Sequence, residues 1–259
     1  MCLLVLAWQS HPRYRLVVAA NRDEFHDRPA APLAHWPPPA DILAGRDLRA
    51  NGTWLGVDRQ RRFGVVTNFR ELQPARTGAP SRGGLIPAYL QGAADPSAFF
   101  AALSARAAEY SGFNLLLADQ QSLWYGSNRA TPFARALAPG VYGLSNELLD
   151  TPWPKLERVR TGFRAWLAGA GAGREELFRL LADRAPAAEG THTSTGGLPR
   201  EWARALSAPF VLHPDYGTRC SSVLLLQSDG ALSLCERRFD AQGELCGERE
   251  FALKDRQWP

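Results

Sequence analysis

The chain has 259 residues, room for one large domain or two small ones, and its 45% hydrophobic and 22% charged residues are an ordinary globular balance. The formal net charge of +4 is almost wholly arginine, with lysine only at 155 and 254, and these arginines mix with acidic residues, so no basic stripe marks a nucleic-acid surface. No run approaches the ~20 apolar residues of a membrane span, and the apolar start lacks a basic region and breaks at His11-Pro12-Arg13, which argues against a secretory signal and for a reducing cytoplasmic setting.

Residues 3–8 and 15–20 are apolar, β-branched runs separated by a polar stretch of hairpin-loop length. They form a hairpin that Cys2 opens and Asn21 follows. Neither run alternates with polar residues, so the sheet they enter is covered on both faces. The Pro-rich segment 28–39 is extended, and short strands follow at 42–46, at 54–58 after the Asn51-Gly52 turn, and at 62–67. Helical patterns run over 81–91 and 96–110, the second with Phe99, Phe100, Leu103 and Ala107 at helical spacing. Residues 113–119 and 122–126 read as a second hairpin, and 141–144 as a strand ending at Ser145-Asn146. Pro152 opens a long helix with Leu156, Val159, Phe163, Trp166 and Leu167 on one face, and a further helix spans 175–183. A Gly/Thr/Pro-rich loop at 191–199 precedes strands at 222–227, 231–239 and 244–253. Strands that arrive as hairpins oppose a doubly wound parallel sheet. The order predicts an α+β fold, two antiparallel sheets between helix layers, in a single domain over 1–259.

Chemistry concentrates at a few places. A cysteine directly after the initiator methionine sits where an aminopeptidase trims. Trimming gives Cys2 both a thiol and an α-amine, whose ordinary pKa of about 7.7–8.0 makes it a base at neutral pH. Asn21, Arg22, Asp23 and Glu24 follow a buried strand, where charged groups need partners. The hairpin brings Asp23 beside Cys2, so that its carboxylate can orient the amine. Asn68 and Asn146 end apolar strands; asparagine forms turns at such places, and its amide also donates to a developing oxyanion, an effect worth ~3–4 kcal/mol. Arg219 can favour a Cys2 thiolate or take a substrate carboxylate. Asn21, Arg22, Glu24, Arg70 and Trp54 are candidate substrate contacts. Cys235 and Cys246 read as small buried hydrophobes on strands. No CxxC pair exists and the five histidines show no ligand spacing, so no metal site is expected.

Met1-Cys2-Leu3-Leu4, Ala19-Ala20-Asn21-Arg22-Asp23-Glu24-Phe25, Gly52-Thr53-Trp54-Leu55-Gly56, Thr67-Asn68-Phe69-Arg70, Ser81-Arg82-Gly83, Leu144-Ser145-Asn146 and Tyr216-Gly217-Thr218-Arg219-Cys220 span nearly the whole chain. Together and in this order they resemble the NRDE family, that of transport and Golgi organisation protein 2. More distantly they are similar to the cholylglycine hydrolase and penicillin V acylase family of N-terminal-nucleophile (Ntn) hydrolases. The resemblance implies a four-layer αββα Ntn-hydrolase-like sandwich. It implies Cys2 as nucleophile, Asp23 as the amine-orienting carboxylate, Asn68 and Asn146 as oxyanion or amine contacts, and Arg219 as electrostatic partner. Those hydrolases often carry an arginine just before Asn-x-Asp; Ala20 stands there here, so substrate class does not carry across. The NRDE resemblance also implies a role in haem trafficking or in handling lipids and acyl-CoA, with no required cofactor and haem as a bound ligand. His35-Trp36 is the candidate axial or stacking contact. Two readings stand: a cysteine hydrolase of an amide or thioester of a small amphipathic molecule, and a non-catalytic carrier of haem or an acyl lipid. Both leave a homodimer open.

Overall fold

In the computed structural model, which describes residues 2–71, 78–169, 173–188, 198–255 and 257–259, the first apolar runs form β1 (Cys2–Trp8) and β2 (Tyr14–Phe25). Leu4, Leu6, Trp8, Leu16 and Val18 enter one buried cluster, and Leu3, Val5, Ala7, Val17 and Ala19 another. Side chains of a strand alternate between its faces, so an unbroken apolar run is the signature of a strand buried on both.

The chain continues through β3 (Ala30–Trp36), β4 (Ile42–Asp47), β5 (Leu55–Asp58) and β6 (Phe63–Asn68) to α1 (Leu85–Gln91) and α2 (Pro96–Ser104). Then come β7 (Phe113–Ala118), β8 (Leu123–Ser127), β9 (Ala134–Leu137), β10 (Gly140–Leu144), α3 (Pro154–Ala168), α4 (Arg174–Leu181) and α5 (Arg200–Leu206). β11 (Tyr216–Gln227), β12 (Leu232–Phe239) and β13 (Leu245–Leu253) finish it. The first sheet runs β10-β1-β2-β11-β12-β13 and the second β3-β4-β5-β6-β7-β8-β9, with antiparallel pairing throughout.

Between the sheets, Leu4, Leu6 and Trp8 meet Phe63, Val65 and Leu116. Leu156, Val159, Phe163 and Trp166 of α3 and Leu177, Phe178 and Leu181 of α4 seal the outer face of the first sheet. Leu85, Ile86, Tyr89 and Leu90 of α1, with Phe100 and Leu103 of α2, seal the second sheet over Phe113, Leu115 and Leu117. Each fully buried side chain of this size contributes roughly 1.5–3 kcal/mol. The expected order of helix, sheet, sheet and helix layers is thus present. No described helix is long and apolar enough to cross a membrane.

Several local readings change. β2 does not stop at Ala20 but runs through the charged tetrad to Phe25, because β11 extends back to Tyr216 and pairs with it there. The helical pattern at 81–91 opens as a 3-10 turn, Arg82–Gly84, and that at 96–110 ends at Ser104 with a separate 3-10 turn, Ala107–Glu109. β9 and α5, both short and weakly patterned, carry no clear sequence signal. Most of the 191–199 loop lies outside the described residues. Cys235 is buried as expected, whereas Cys246 is exposed on the edge strand β13.

Candidate functional site

The continuation of β2 splits the tetrad by alternation. Asn21 and Asp23 face the helix layer, while Arg22 and Glu24 face the gap between the sheets, where Arg22 meets Trp54 and Asp47. β1 is paired so that Cys2 stands opposite Arg22. Residue 2 therefore lies at the end of a central strand, with β10 on its other side.

Three groups fix Cys2. Its backbone N–H donates to Asn146 Oδ1 at 3.1 Å, its carbonyl accepts from Ser145 Oγ at 3.0 Å, and its thiol is hydrogen-bonded by the backbone N–H of Asp23. Burial pushes the thiol pKa up, and the nearby Asp23 carboxylate adds to that, against the opposing pull of the Asp23 N–H and Arg22. Asn146 is 1% exposed, and its amide is used at both ends, since Nδ2 donates to the carbonyl of Asn68 at 2.7 Å. Asn146 thus holds the Cys2 nitrogen with its oxygen and the end of β6 with its nitrogen. Asn68 lies exposed at the end of β6, on the wall of the same cavity.

Asp23 is 2% exposed, and burial raises its carboxyl pKa. Thr218 Oγ1 accepts from Val211 N–H at 2.9 Å, which leaves its hydroxyl proton to donate to Asp23 Oδ1 at 2.8 Å. Tyr216 Oη holds the Asp23 carbonyl at 2.7 Å. Thr218 and Tyr216 both come from β11, inside the motif that sequence reading valued for Arg219 alone.

The cavity in front of Cys2 has a volume of about 270 Å³, and Arg22, Asp23, Glu24, Trp54, Asn68 and Arg82 help to line it. The Arg22 guanidinium lies 4.4 Å from the centre of the Trp54 ring, a cation–π stack. Its Nη2 is 3.4 Å from Asp47 Oδ2 and 3.9 Å from Glu24 Oε2. Arg28 Nε reaches the same Asp47 oxygen at 2.6 Å. Burial pushes the Asp47 carboxyl up, but the Arg28 bond, the Ala50 N–H and the two guanidinium charges outweigh it and hold it below its usual range.

Arg82, which sequence reading quoted in the Ser81-Arg82-Gly83 motif without a site role, joins this wall and donates to the Gly112 carbonyl at 3.0 Å. Its placement depends on Gly52. A Cβ there would stand 2.4 Å from the Gly83 backbone, so only glycine lets the Arg82–Gly84 turn approach, with Thr53 N–H bonded to the Gly83 carbonyl at 3.0 Å.

Not all expected residues converge. Arg219 is the extra residue of a bulge between Thr218, opposite Asp23, and Cys220, opposite Arg22. Its Nη1 donates to the carbonyls of Phe25, His26 and Arg28 at 2.9, 3.1 and 3.4 Å, and it is not among the described residues lining the cavity. Arg22 and Arg82 are guanidinium groups whose charges act on the Cys2 thiol. Asn21 is 1% exposed, with Nδ2 donating to the carbonyls of Leu181 and Pro209, both at 2.9 Å, and Oδ1 accepting from Ser221 Oγ at 2.6 Å. Its side chain braces the helix layer. The Arg70 guanidinium lies 5.9 Å from the Trp153 ring centre, away from the described cavity wall. His35 Nε2 is 3.0 Å from Asp41 Oδ1 and Trp258 Nε1–H donates to the same oxygen at 2.6 Å, while Trp36 is buried beneath α1 with its Nε1–H on the Ala44 carbonyl. His35 stays partly exposed, and neither residue is among the described residues lining the cavity in front of Cys2. Among the described residues no group of three or more His, Cys, Asp or Glu side chains is arranged to hold a metal ion.

The sequence model of the family described as Transport and Golgi organisation 2 matches residues 1–241. A Transport and Golgi organization protein 2 homolog from Bos taurus is 35% identical over 263 residues, 92% of each chain. The Homo sapiens homolog is 32% identical over 260 residues, again 92% of each. Transport and Golgi organization protein 2 of Drosophila melanogaster is 26% identical over 271 residues, covering 94% of this chain and 95% of its own. Among solved structures, the mutant C2A of conjugated bile acid hydrolase from Clostridium perfringens covers 98% of this chain and 97% of its own, at a TM-score of 0.49 and 9% identity, a loose likeness.

Proposed function

The chain belongs to the Transport and Golgi organisation 2 family, and from that premise we propose that the Cys2 cavity is the active site of an Ntn-type cysteine hydrolase acting on an amide or thioester of a small amphipathic molecule. The observation that carries this reading is the hold on residue 2. The nitrogen that becomes an α-amine on removal of Met1 lies 3.1 Å from Asn146 Oδ1, and the thiol of the same residue takes the Asp23 N–H and opens on the cavity.

The α-amine of trimmed Cys2 takes the thiol proton, oriented by Asn146 and the Asp23 carboxylate. The thiolate sulfur attacks the substrate carbonyl carbon, and the C=O electron pair moves to oxygen, where the Asn68 amide donates, an effect worth ~3–4 kcal/mol. Collapse breaks the bond to the leaving nitrogen or sulfur, which receives the proton held by the amine. A water then attacks the thioester, its proton passes to the amine, and the acid departs as the thiol re-forms. Arg22, stacked on Trp54, and Arg82 form the cationic wall that receives the polar end of the substrate.

The test is a mass spectrum of the intact protein together with hydrolysis of a panel of acyl amides and thioesters. Trimmed Met1 with turnover that Cys2→Ala abolishes is the expected result. Active protein that retains Met1 excludes this mechanism, because an amide nitrogen is no base.

The second reading, a carrier of haem or an acyl lipid, uses the same cavity. No histidine is among its described lining residues, so Cys2 is the axial ligand that lining offers to haem. A Soret shift on haem titration that Cys2→Ala removes, without hydrolysis anywhere in the panel, selects that reading.

A further inference from the structure

Lys155 breaks three expectations at once. It is 3% exposed, although lysine is rarely buried unless paired. Its Nζ has no hydrogen-bond partner among the described residues. It also sits in the first turn of α3, the end of a helix where a positive charge is disfavoured. Local rules broken together without local compensation mark functional positions.

Burial pushes the Lys155 pKa down, and what faces it supplies the opposing pull. Asp23 on β2 is its strongest opposite charge, the Cys2 sulfur on β1 is the next, and Arg70 beyond β6 opposes both. Asp23 in turn feels Lys155 and Arg22 as favourable charges against its burial. A buried carboxylate with no cation nearby takes up a proton, and a protonated Asp23 cannot hold an amine by charge.

We propose that Lys155 is a positioning residue of the Cys2 centre: its buried ammonium, facing Asp23 from the helix layer, keeps that carboxylate charged and supports the thiolate when Cys2 ionises. This role deepens the hydrolase reading and rests on it for its catalytic meaning, but its physical content is a charge coupling that can be measured without any substrate.

Iodoacetamide alkylation, followed on the Cys2-containing peptide by mass spectrometry, reads the thiolate. Asp23→Asn removes a negative neighbour, so at pH values below the Lys155 midpoint of that variant, where the ammonium persists, Cys2 should react roughly threefold faster or more. Adding Lys155→Met to that variant should return the rate toward wild type, with the pH profile moving back in step. A rate in the double variant within about twofold of Asp23→Asn alone overturns the proposal.

Where a Lys155 variant fails to fold, the unaltered lysine reports instead. The chain has only two lysines, so Cε-labelled protein gives two signals, assigned with Lys254→Arg. Asp23→Asn should lower the proton affinity of Lys155 by about tenfold or more; a midpoint that does not move overturns the coupling. Coupling without hydrolysis of any substrate retires the hydrolase reading and leaves the charge pair, so the two failures are distinguishable.

Discussion

Asn21 separates a structural from a substrate-binding role most sharply. Its side chain satisfies three buried groups: the Leu181 carbonyl, the Pro209 carbonyl and the Ser221 hydroxyl. Leu181 is the last residue of α4, where carbonyls have no partner within the helix, so Asn21 closes that helix from the neighbouring strand. Asn21→Ala removes three hydrogen bonds of about 1 kcal/mol each, and leaving two carbonyls dry adds to the loss, whereas rotation of the Ser221 hydroxyl recovers part of it. The net expectation is a loss of about 3 kcal/mol. Urea unfolding followed by tryptophan fluorescence should show a lower midpoint with an unchanged slope. A loss under about 1 kcal/mol refutes the reasoning, since a residue that only touches substrate is removed at little expense in stability.

Gly52→Ala drives a Cβ into the Gly83 backbone and should destabilise by about 1–3 kcal/mol; an unchanged melting temperature contradicts the close approach that sets Arg82. Asp47 has a folded-state pKa below its ordinary 3.8, so its stabilisation is complete above that value and is lost as pH falls through the lower one. Asp47→Asn should therefore lower the melting temperature at neutral pH, and the gap to wild type should close in acid; a gap that persists unchanged at low pH rules out the ion-pair account.

The apolar runs 3–8 and 15–20 were readable because both faces of their strands are buried, and the same logic gave the sheet-and-helix layering. Cys2 and Asn68 were legible as the ends of strands, and Asp23 as a neighbour of Cys2. The limit was alternation within the tetrad: no local pattern says that a strand continues through three charged residues, since the pairing that holds it comes from β11, 195 positions later in the case of Asp23 and Thr218. Arg219 misled for a related reason, because a bulge turns its side chain toward the carbonyls of 25–28 and no sequence signal marks the bulge. Lys155 hid beside Leu156 at the start of an amphipathic helix, where a lysine reads as solvent-facing. Its scarcity, one of two in the chain, was the signal that could have drawn notice.

One amide group ties the sheets together at the point where chemistry is proposed. Asn146 leaves β10, grips the nitrogen of residue 2 in the first sheet with its oxygen, and grips the last carbonyl of β6 in the second with its nitrogen. Neither layer can slide over the other without dragging the thiol away from Asn68. Reaction geometry tolerates little error, a 1 Å misplacement being worth ~100-fold in rate, so the site acts as a gauge of interlayer alignment. Core substitutions far from the cavity that tilt one sheet against the other should silence it while leaving the protein folded.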